Sequence, residues 1–191
     1  MKIFGNEDLR VQKTVTSIRK TFFEMLLDTE LKKISVTNLC QRAKINKKTF
    51  YRYYETIDFL VDEIIGEFVD DFIERTKNFR VPEDLDKINR EFFIFSVEQG
   101  KIYEKIISSP AWQIISKKFV EKIINYTWQS STQFQKLNSC KKNLLICFVM
   151  NVGIELYRQW LSDDKKIPLE EVISISNNLL CHGVFGFFAK K

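Results

Sequence analysis

The sequence has few of the residues that interrupt regular secondary structure. Its 191 residues include only 6 Gly and 3 Pro, which excludes collagen-like and low-complexity chains. So few turn-forming residues also argue against an all-β sandwich, which needs many tight turns. With 45% hydrophobic and 29% charged residues, the composition is that of a globular chain rather than a disordered one. These absences leave a helical protein as the prediction.

Residues that build catalytic, metal or disulfide sites are also scarce. The single histidine, His182, follows Cys181 in an apolar segment, and neighbours on a helix lie about 100° apart, too far for a nucleophile–base pair. The four cysteines include no CxxC pair, and the sequence has no HExxH motif and no Gly-rich phosphate loop. Paired carboxylates such as Asp70-Asp71 are typical of solvated helix surfaces. We therefore predict no enzyme, no cofactor and no metal site.

No segment has the pattern of a secretion signal or a membrane span. The first nine residues lack an apolar core and carry Glu7 and Asp8. The apolar runs near Phe92, Leu144 and Gly183 are all shorter than the roughly 20 residues needed to cross a bilayer. We therefore expect a soluble, cytoplasmic protein that does not associate with membranes.

The net charge of +5 is concentrated at one end of the chain. Residues 1–60 contain 12 Lys and Arg against 7 Asp and Glu, whereas residues 61–191 contain 18 of each. Five basic residues and no acidic residue lie between Arg42 and Tyr54. Such asymmetry is typical of a chain that meets a polyanion at one end. A solvated lysine-rich surface would give the same count, so charge alone leaves both interpretations open.

Apolar spacing predicts a helix-turn-helix near the start of the chain. A first helix carries apolar residues at one face, namely Val11, Val15, Ile18, Phe22, Met25 and Leu26. A second, short helix begins at the N-cap Ser35 or Thr37, and a third occupies residues 47–54 after the N-cap Asn46. Two short helices joined by a tight turn and supported by a longer helix form this motif. A fourth helix, capped by Thr56, follows over residues 57–77.

The third helix has two chemically different sides. Its polar side holds residue types that read base edges in a major groove, namely Lys48, Thr49 and Arg52. Phe50 and Tyr54 lie together on the opposite side and are expected to anchor the helix to the core. Two further tyrosines, Tyr51 and Tyr53, flank the polar side, where their hydroxyls suit phosphate oxygens. This division predicts a DNA-reading helix; the alternative is that both tyrosines are core aromatics and the lysines a solubilising surface.

Residues 13–68 closely resemble the DNA-binding domain of the TetR family of transcriptional regulators. The resemblance rests on Val36–Ala43, on Ile45-Asn46, and above all on Thr49–Tyr54 followed by Asp58–Leu60. It implies a dimeric regulator, more often a repressor, that reads a palindromic operator. The phosphate and base contacts of the family fall on Thr37, Lys47, Lys48, Thr49, Tyr51 and Tyr53, to which the helix geometry adds Arg52.

The sequence departs from the family pattern at four positions. Lys44 replaces the usual glycine of the turn, so its backbone is expected to adopt a left-handed conformation. Lys48 stands where a glycine precedes the threonine, and Tyr53 replaces the usual histidine. Ile57 stands where a phosphate-contacting lysine is common, so that contact is expected to be lost. These changes do not alter the predicted class of function, but the operator sequence cannot be predicted from the family pattern.

The remainder of the chain, residues 78–191, is expected to form a second helical domain. Its segments are 82–99, 101–108, 110–135, 141–163 and 169–190, with each of the three prolines at a predicted helix start. The resemblance implies a small-molecule pocket here, and an apolar or aromatic molecule is the candidate ligand. The candidate lining residues are Phe92, Phe95, Tyr103, Trp112, Phe119, Trp128 and Phe148. Each of them also fits an ordinary core position.

The last two helices carry more apolar surface than one chain can cover, which predicts a homodimer. The candidate interface residues are Phe148, Val152, Leu156, Leu180, Val184 and Phe187. A symmetric dimer would also set two recognition helices about one DNA turn apart, as paired half-sites require. The end of one helix near Trp160 and the start of the next at Pro168 resemble the branch of dihydroxyacetone-kinase regulators, some of which act through protein partners without an inducer.

The prediction is therefore an all-α protein with two parts. Residues 1–60 form a three-helix DNA-binding domain, and helix four over 57–77 joins it to a dimerisation and ligand domain over 78–191. The predicted function is a DNA-binding transcriptional regulator, a repressor controlled by a ligand or partner at the second domain. The alternative is a coactivator or adaptor of the same fold that acts mainly through protein contacts.

Overall fold

The computed structural model describes residues 9–110, 120 and 122–188, the last four by their backbone only. The regular elements in these ranges are all helices, so the predicted all-α class is confirmed. In chain order they are α1 (Leu9–Asp28), a 3-10 helix (Leu31–Lys33), α2 (Val36–Arg42), α3 (Lys47–Tyr51), α4 (Ile57–Thr76), α5 (Leu85–Glu98), α6 (Gly100–Ile107), helical residues 122–127 (α7), α8 (Thr132–Gln135), α9 (Ser139–Ser162) and α10 (Leu169–Phe188).

The chain forms two compact units. The first contains the described residues up to Phe68 together with those from Lys101 to Pro110, and so holds α1–α3, most of α4 and nearly all of α6. The second contains Val69–Gly100 and the described residues from 120 onwards, and so holds the end of α4, α5 and α7–α10. The continuous helix α4 therefore contributes residues to both units.

The core of the first unit is built from the apolar faces of its helices. Side chains at most 1% exposed come from α1, α2, α3 and α4: Ile18, Phe22, Leu26, Leu39, Phe50, Leu60, Val61, Ile64 and Ile65. The helix α6 adds Tyr103, Ile106 and Ile107, and the rings of Phe68 and Tyr103 meet edge to face with centroids 5.3 Å apart. The helical spacing of these residues explains why these segments are helices, since it gathers their apolar side chains on one face.

The starts of three helices in this unit are fixed by side-chain caps. Ser35 Oγ accepts a hydrogen bond from the N–H of Asn38 at 3.2 Å, and Asn46 Oδ1 accepts one from the N–H of Lys48 at 2.9 Å. Thr56 Oγ1 accepts from the N–H of Phe59 at 3.3 Å. Such caps satisfy backbone donors that have no partner within the first turn of a helix. The caps predicted for α2, α3 and α4 are thus found.

The third helix is shorter than predicted. It ends at Tyr51, and the predicted range 47–54 is therefore wrong at its C-terminal end. The N–H groups of Tyr53 and Tyr54 both donate to the carbonyl of Phe50, at 2.9 and 3.0 Å, so the chain tightens into a turn. This turn leads Tyr54 into the core, where 5% of the residue remains exposed.

The predicted helix over residues 110–135 is interrupted. Residues 111–119 and 121 lie outside the described ranges, but the described part leaves the helix after Thr127 and turns at residues 128–130. Ser131 then caps the four-residue α8, with its Oγ accepting from the N–H of Phe134 at 3.3 Å. A run of serine and threonine offers such alternative hydrogen bonds to the backbone, which favours a break here.

The core of the second unit lies around α9 and α10. Its buried members are Val81, Leu85, Trp128, Phe134, Leu145, Ile146, Val149, Leu180 and Val184. The helix α10 packs against both α9 and α5. At the α5–α9 crossing, a Cβ on Gly153 would lie 3.2 Å from Asn89 Oδ1, so the absence of a side chain permits this close approach.

Polar contacts add direction to this apolar packing. The Asn89 amide donates to Ser176 Oγ at 2.9 Å and to Asn177 Oδ1 at 2.7 Å, which joins α5 to α10. Arg90 and Glu170 form a bidentate ion pair with distances of 2.6 and 2.7 Å between the same two helices. The hydrogen-bonded Asn89 and Ser176 are buried and so favour a single register of packing between α5 and α10, whereas the Arg90–Glu170 pair lies at the surface.

The helix α9 is the one element in the described ranges that is long and apolar enough to cross a membrane. Its 24 residues contain a window with a mean hydropathy of 1.2, of which 33% is buried within the protein. Asn151, Glu155 and Arg158 interrupt its apolar residues, so the uninterrupted apolar runs of the sequence do not reveal it. Since α9 supplies Leu145, Ile146 and Val149 to the core, a core helix of a folded domain explains the same composition.

Candidate nucleic-acid interface

The turn between α2 and α3 sets the direction of α3. Lys44 lies in it with φ of 54°, so the left-handed conformation predicted for this residue is found. The N–H of Ile45 donates back to the carbonyl of Cys40 at 3.0 Å, and the N–H of Lys44 donates to Gln41 at 3.3 Å. These bonds close the end of α2 in the manner of a Schellman motif. Asn46 then caps α3, so the turn is defined on both sides.

Two aromatic rings hold α3 against the core of the first unit. Phe50 is fully buried and Tyr54 is 5% exposed. Their ring centroids lie 5.7 Å apart, and the ring of Tyr51 meets that of Phe50 edge to face at 5.8 Å. The predicted inward side of α3 is therefore the buried side, which leaves the opposite side in solvent.

The seven predicted DNA-binding residues all retain exposed surface. Thr37, Lys47, Lys48, Tyr51 and Arg52 are exposed, and Thr49 and Tyr53 are partly exposed. Thr37 lies in the first turn of α2, and the other six lie in α3 or directly after it. The interpretation of Tyr51 as a core residue does not fit, since 54% of it is exposed. Their role as DNA contacts stays a prediction.

The positive charges of this surface are not neutralised by the protein itself. Among the described residues, Lys44, Lys47, Lys48 and Arg52 form no ion pair with an acidic side chain. Arg42, at the end of α2, instead lies 3.4 Å from Asp28 Oδ2. Nearby, burial raises the pKa of the Cys40 thiol, which therefore stays protonated. Four unpaired cations beside a row of hydroxyls form a surface that suits a polyanion.

A network of polar side chains that the sequence analysis missed lies behind α3. Tyr54 donates to Glu63 Oε1 at 2.9 Å, and Arg19 Nη1 lies 3.3 Å from the same oxygen and 2.6 Å from Glu67 Oε1. Burial, followed by the hydrogen bond to Glu63, raises the pKa of Tyr54. The hydrogen bond to Glu67 raises the pKa of Arg19. The only sequence signal is the spacing of Glu63 and Glu67, which places two carboxylates on one face of α4.

Four of the seven candidate ligand-pocket residues, Phe92, Phe95, Tyr103 and Trp128, pack against other side chains within the protein. Phe92, Phe95 and Trp128 belong to the second unit, where Phe92 meets Phe72 and Tyr157 edge to face and Trp128 packs on Phe134. Tyr103 belongs to the first unit, so the candidates are not brought together in one unit. Two of them, Trp112 and Phe119, lie outside the described residues. The seventh, Phe148, is 40% exposed.

A cleft of about 350 Å³ lies elsewhere in the second unit, at the connection from α9 to α10. Its described lining consists of Leu156, Gln159, Trp160, Asp163, Lys166, Ile167, Val172 and Ile175, none of which was among the pocket candidates. The Trp160 indole N–H donates to the carbonyl of Ile167 at 2.8 Å, which fixes the connecting loop. Apolar walls with a few polar groups are usual in sites for small molecules.

The candidate dimer residues divide into buried and exposed ones. Leu180 and Val184 lie in the core of their own chain, with 2% and 0% exposure. Val152 and Leu156 are partly exposed, Phe148 is exposed, and the side chain of Phe187 lies outside the described part. The outer faces of α9 and α10 also expose apolar side chains that the sequence analysis did not select, namely Leu144, Ile175 and Leu179.

The described residues offer no arrangement typical of catalysis or metal binding. His182 Nδ1 lies 2.8 Å from the carbonyl of Asn178 on its own helix, and burial raises the pKa of the neighbouring Cys181 thiol. No three His, Cys, Asp or Glu side chains in the described ranges are grouped so that they could hold a metal ion. For the whole chain, the lack of a cofactor or metal remains an expectation.

Comparison with known proteins identifies the fold. No protein-family model matches the sequence, and no curated protein matches it either. The fatty acid degradation regulator FadR from Bacillus halodurans has a similar structure, with a TM-score of 0.63 and 15% identity over 89% of this chain and 95% of that one. The dihydroxyacetone kinase operon activator DhaS is also similar, with a TM-score of 0.50 and 19% identity over 91% of this chain and 97% of that one.

The chain has the fold of these helical regulators. Identities of 15% and 19% establish a shared fold and leave function to be argued from the residues of this chain. Each of the two matches extends over nearly the whole of both chains, so the likeness is not confined to the helix-turn-helix. Neither of the two names is that of an enzyme.

Proposed function

We propose that this protein is a DNA-binding transcriptional regulator of the TetR type that acts as a repressor. The observation that carries the proposal is the outward side of α3 and of the residue that follows it, where Lys47, Lys48 and Arg52 have no ion-pair partner among the described residues. Phe50 and Tyr54 hold the helix from behind. A helix supported on one side and cationic on the other fits the major groove of duplex DNA.

The side-chain types divide the roles within this surface. Lys48, Thr49 and Arg52 are proposed to reach base edges, because lysine and arginine donate to guanine and threonine contacts either a polar edge or a thymine methyl. Phosphate oxygens are the proposed partners of the remaining four, Thr37, Lys47, Tyr51 and Tyr53. Phosphate contacts fix the register of the helix, and base contacts give the sequence preference.

A homodimer is part of the proposal. The exposed apolar side chains on α9 and α10 support it, because Leu144 and Leu179 are 69% and 55% exposed without a partner chain. If these side chains form one apolar patch, another protein surface is its expected cover. Two copies related by a two-fold axis would read a palindromic operator.

Control of DNA binding is proposed to act through the C-terminal domain. In this scheme residues 1–60 read DNA, α4 connects, and residues 78–191 dimerise and receive a signal in the cytoplasm. The cleft beside Trp160 supports a small apolar or aromatic molecule as that signal. Such a ligand shifts the population between binding and non-binding forms only if its affinity for the two forms differs.

Fluorescence anisotropy with duplex DNA from upstream of the gene tests the DNA-binding proposal. Lys48→Ala and Tyr51→Ala are expected to lower specific affinity at least about tenfold each, since each removes a contact to a base or phosphate. Lys136→Ala and Tyr126→Ala remove exposed side chains of the same types from the second unit and serve as matched controls. Unchanged binding by the first pair, with folding intact, would contradict the proposal.

A salt titration separates this function from its alternative, a coactivator or adaptor that works through protein contacts. A regulator that neutralises several phosphates loses affinity steeply as salt concentration rises, with a slope of about 0.9 per phosphate contact. Lys47→Ala, which removes a proposed phosphate contact, should reduce that slope, whereas Lys136→Ala should not. Weak, salt-independent DNA binding by the unmodified protein would favour the adaptor.

A further inference from the structure

The network behind α3 joins three separate parts of the first unit. Tyr54 follows α3, Arg19 lies in α1, and Glu63 and Glu67 lie one turn apart in α4. The Glu63 carboxylate accepts the Tyr54 hydroxyl at 2.9 Å and is approached by Arg19 at 3.3 Å. Arg19 also bonds both oxygens of Glu67. One guanidinium therefore holds two carboxylates, one of which holds the end of α3.

The Tyr54 hydroxyl is not needed to compensate the charge of the mostly buried Glu63 carboxylate. The Glu63 side chain is only 14% exposed, and a carboxylate so placed requires a partner of opposite charge. Arg19 supplies that charge. Removal of the hydroxyl would therefore leave Glu63 paired, and the aromatic ring of Tyr54 would still fill the core against Phe50. What the hydroxyl adds is direction, because hydrogen bonds are directional and apolar packing is not.

We infer that Tyr54 is a positioning residue for sequence-specific DNA reading, through its hydrogen bond to the Glu63 carboxylate that Arg19 holds in place. This inference rests on the proposed function. Only two residues separate the five-residue α3 from Tyr54. The position of Tyr54 therefore constrains the orientation of α3, and with it the positions of Lys48 and Thr49. Base contacts require placement within about 0.5 Å. Charge contacts to phosphates tolerate more variation, since they act over a Debye length of about 10 Å.

The distinguishing expectation concerns the ratio of specific to non-specific binding. The Tyr54→Phe variant keeps the ring and every cation of the surface, so its affinity for random-sequence duplex should equal that of the unmodified protein. Its affinity for the operator should fall about tenfold, which corresponds to the loss of one base contact. The operator used is the duplex that the unmodified full-length protein selects from a randomised pool.

Two further variants test whether the effect passes through Glu63 and Arg19. Arg19→Lys keeps the charge but lacks the planar guanidinium that bonds both Glu67 oxygens while it reaches Glu63, and it should reduce the specificity ratio as Tyr54→Phe does. The matched control is Arg75→Lys in the second unit, where Arg75 likewise lies between two glutamates, 3.1 Å from Glu91 and 2.6 Å from Glu98. That change should leave the ratio unaltered. Adding Tyr54→Phe to Arg19→Lys should cost less than a second tenfold loss, because the two act as a unit.

The outcomes distinguish this inference from the function on which it rests. If the unmodified protein selects no duplex, the proposed function fails and this inference fails with it. If the unmodified protein discriminates and Tyr54→Phe keeps the same ratio, the inference alone is overturned. An equal loss of specific and non-specific affinity would also overturn it, since it would mean general loosening of the fold. Ile64→Val, a core change in α4, calibrates that loosening and should lower the unfolding temperature without changing the ratio.

Discussion

Lys44 has a backbone conformation that most residues with a side chain avoid. Its φ of 54° lies in the left-handed region, where a Cβ approaches the following carbonyl at a cost of about 1–2 kcal/mol. The turn nevertheless requires this conformation, because the N–H of Ile45 must reach the carbonyl of Cys40 to close α2. A glycine would meet the same need without strain. The side chain that replaces it is an exposed, unpaired cation on the helix-turn-helix.

We therefore expect Lys44→Gly to stabilise the protein. Relief of the left-handed strain should raise the free energy of unfolding by about 1 kcal/mol, after allowance for the greater backbone freedom of glycine when unfolded. Urea denaturation measures this change. The control is Lys20→Gly, in the exposed interior of α1, which should lower the same free energy by about 1 kcal/mol. A loss of stability in Lys44→Gly would show that this turn does not strain the backbone.

At the scale of elements, α3 depends on its surroundings to be helical at all. Five residues are far too few for a helix that is stable on its own, because nucleation is costly. The Asn46 cap and the burial of Phe50 provide the stability that so short a helix lacks on its own. The same cap is present on the 24-residue α9, where Asn138 Oδ1 accepts from the N–H of Lys141 at 2.9 Å. One motif thus serves helices of very different length.

Loss of the Asn46 cap should affect both folding and DNA binding. Asn46→Ala is expected to lower the free energy of unfolding by about 1 kcal/mol and to lower operator affinity, because the first turn of α3 carries Lys47 and Lys48. Asn46→Ser should retain both properties, since its hydroxyl oxygen can accept the same hydrogen bond without adding a charge to this surface. Asn138→Ala should cost a similar amount of stability and leave DNA affinity unchanged. Thermal denaturation and anisotropy on all three variants check these expectations.

Local signals were sufficient to predict most helices of the first unit. The caps at Ser35, Asn46 and Thr56 and the 3.6-residue apolar period act within one or two turns, so they can be read from the sequence. The end of α3 could not be predicted, because it depends on Tyr54 entering a core assembled from α1 and α4. The Arg19–Glu63 contact was missed for a related reason: its partners are 44 residues apart and meet only after folding.

At the scale of the whole molecule, the faces of α9 and α10 that point to solvent are unusually apolar. Leu144, Phe148, Ile175 and Leu179 are all between 40% and 69% exposed. The apolar pattern of α10 is so broad that the sequence does not tell which residues face its own core. Leu180 and Val184 proved to lie inside the protomer, whereas the adjacent Leu179 lies outside. Only the packing of α10 on α5 and α9 decides which of its apolar residues are buried in the protomer and which are exposed.

Charges placed on this surface should prevent dimer formation. We expect Leu144→Glu combined with Leu179→Glu to give a monomer, because burying two unpaired carboxylates per chain is costly. Sedimentation velocity measures the oligomeric state, and operator affinity should fall together with dimerisation since paired half-sites are then read singly. Tyr126→Glu, at a site in the second unit that is 49% exposed, is the control and should not change sedimentation. A double variant that remains a dimer would exclude this surface as the interface.

The first unit is not one continuous stretch of chain, because Val69–Gly100, which belong to the second unit, lie between its two pieces. Since α6 buries Tyr103, Ile106 and Ile107, a fragment that stops after α4 would be cut off from part of its own hydrophobic interior. Chimeras made at a single junction after α4 would inherit this defect. Recombination that transplants the unit intact must carry two separate pieces of the gene, and this limits how freely such a protein can exchange its first unit for that of a relative.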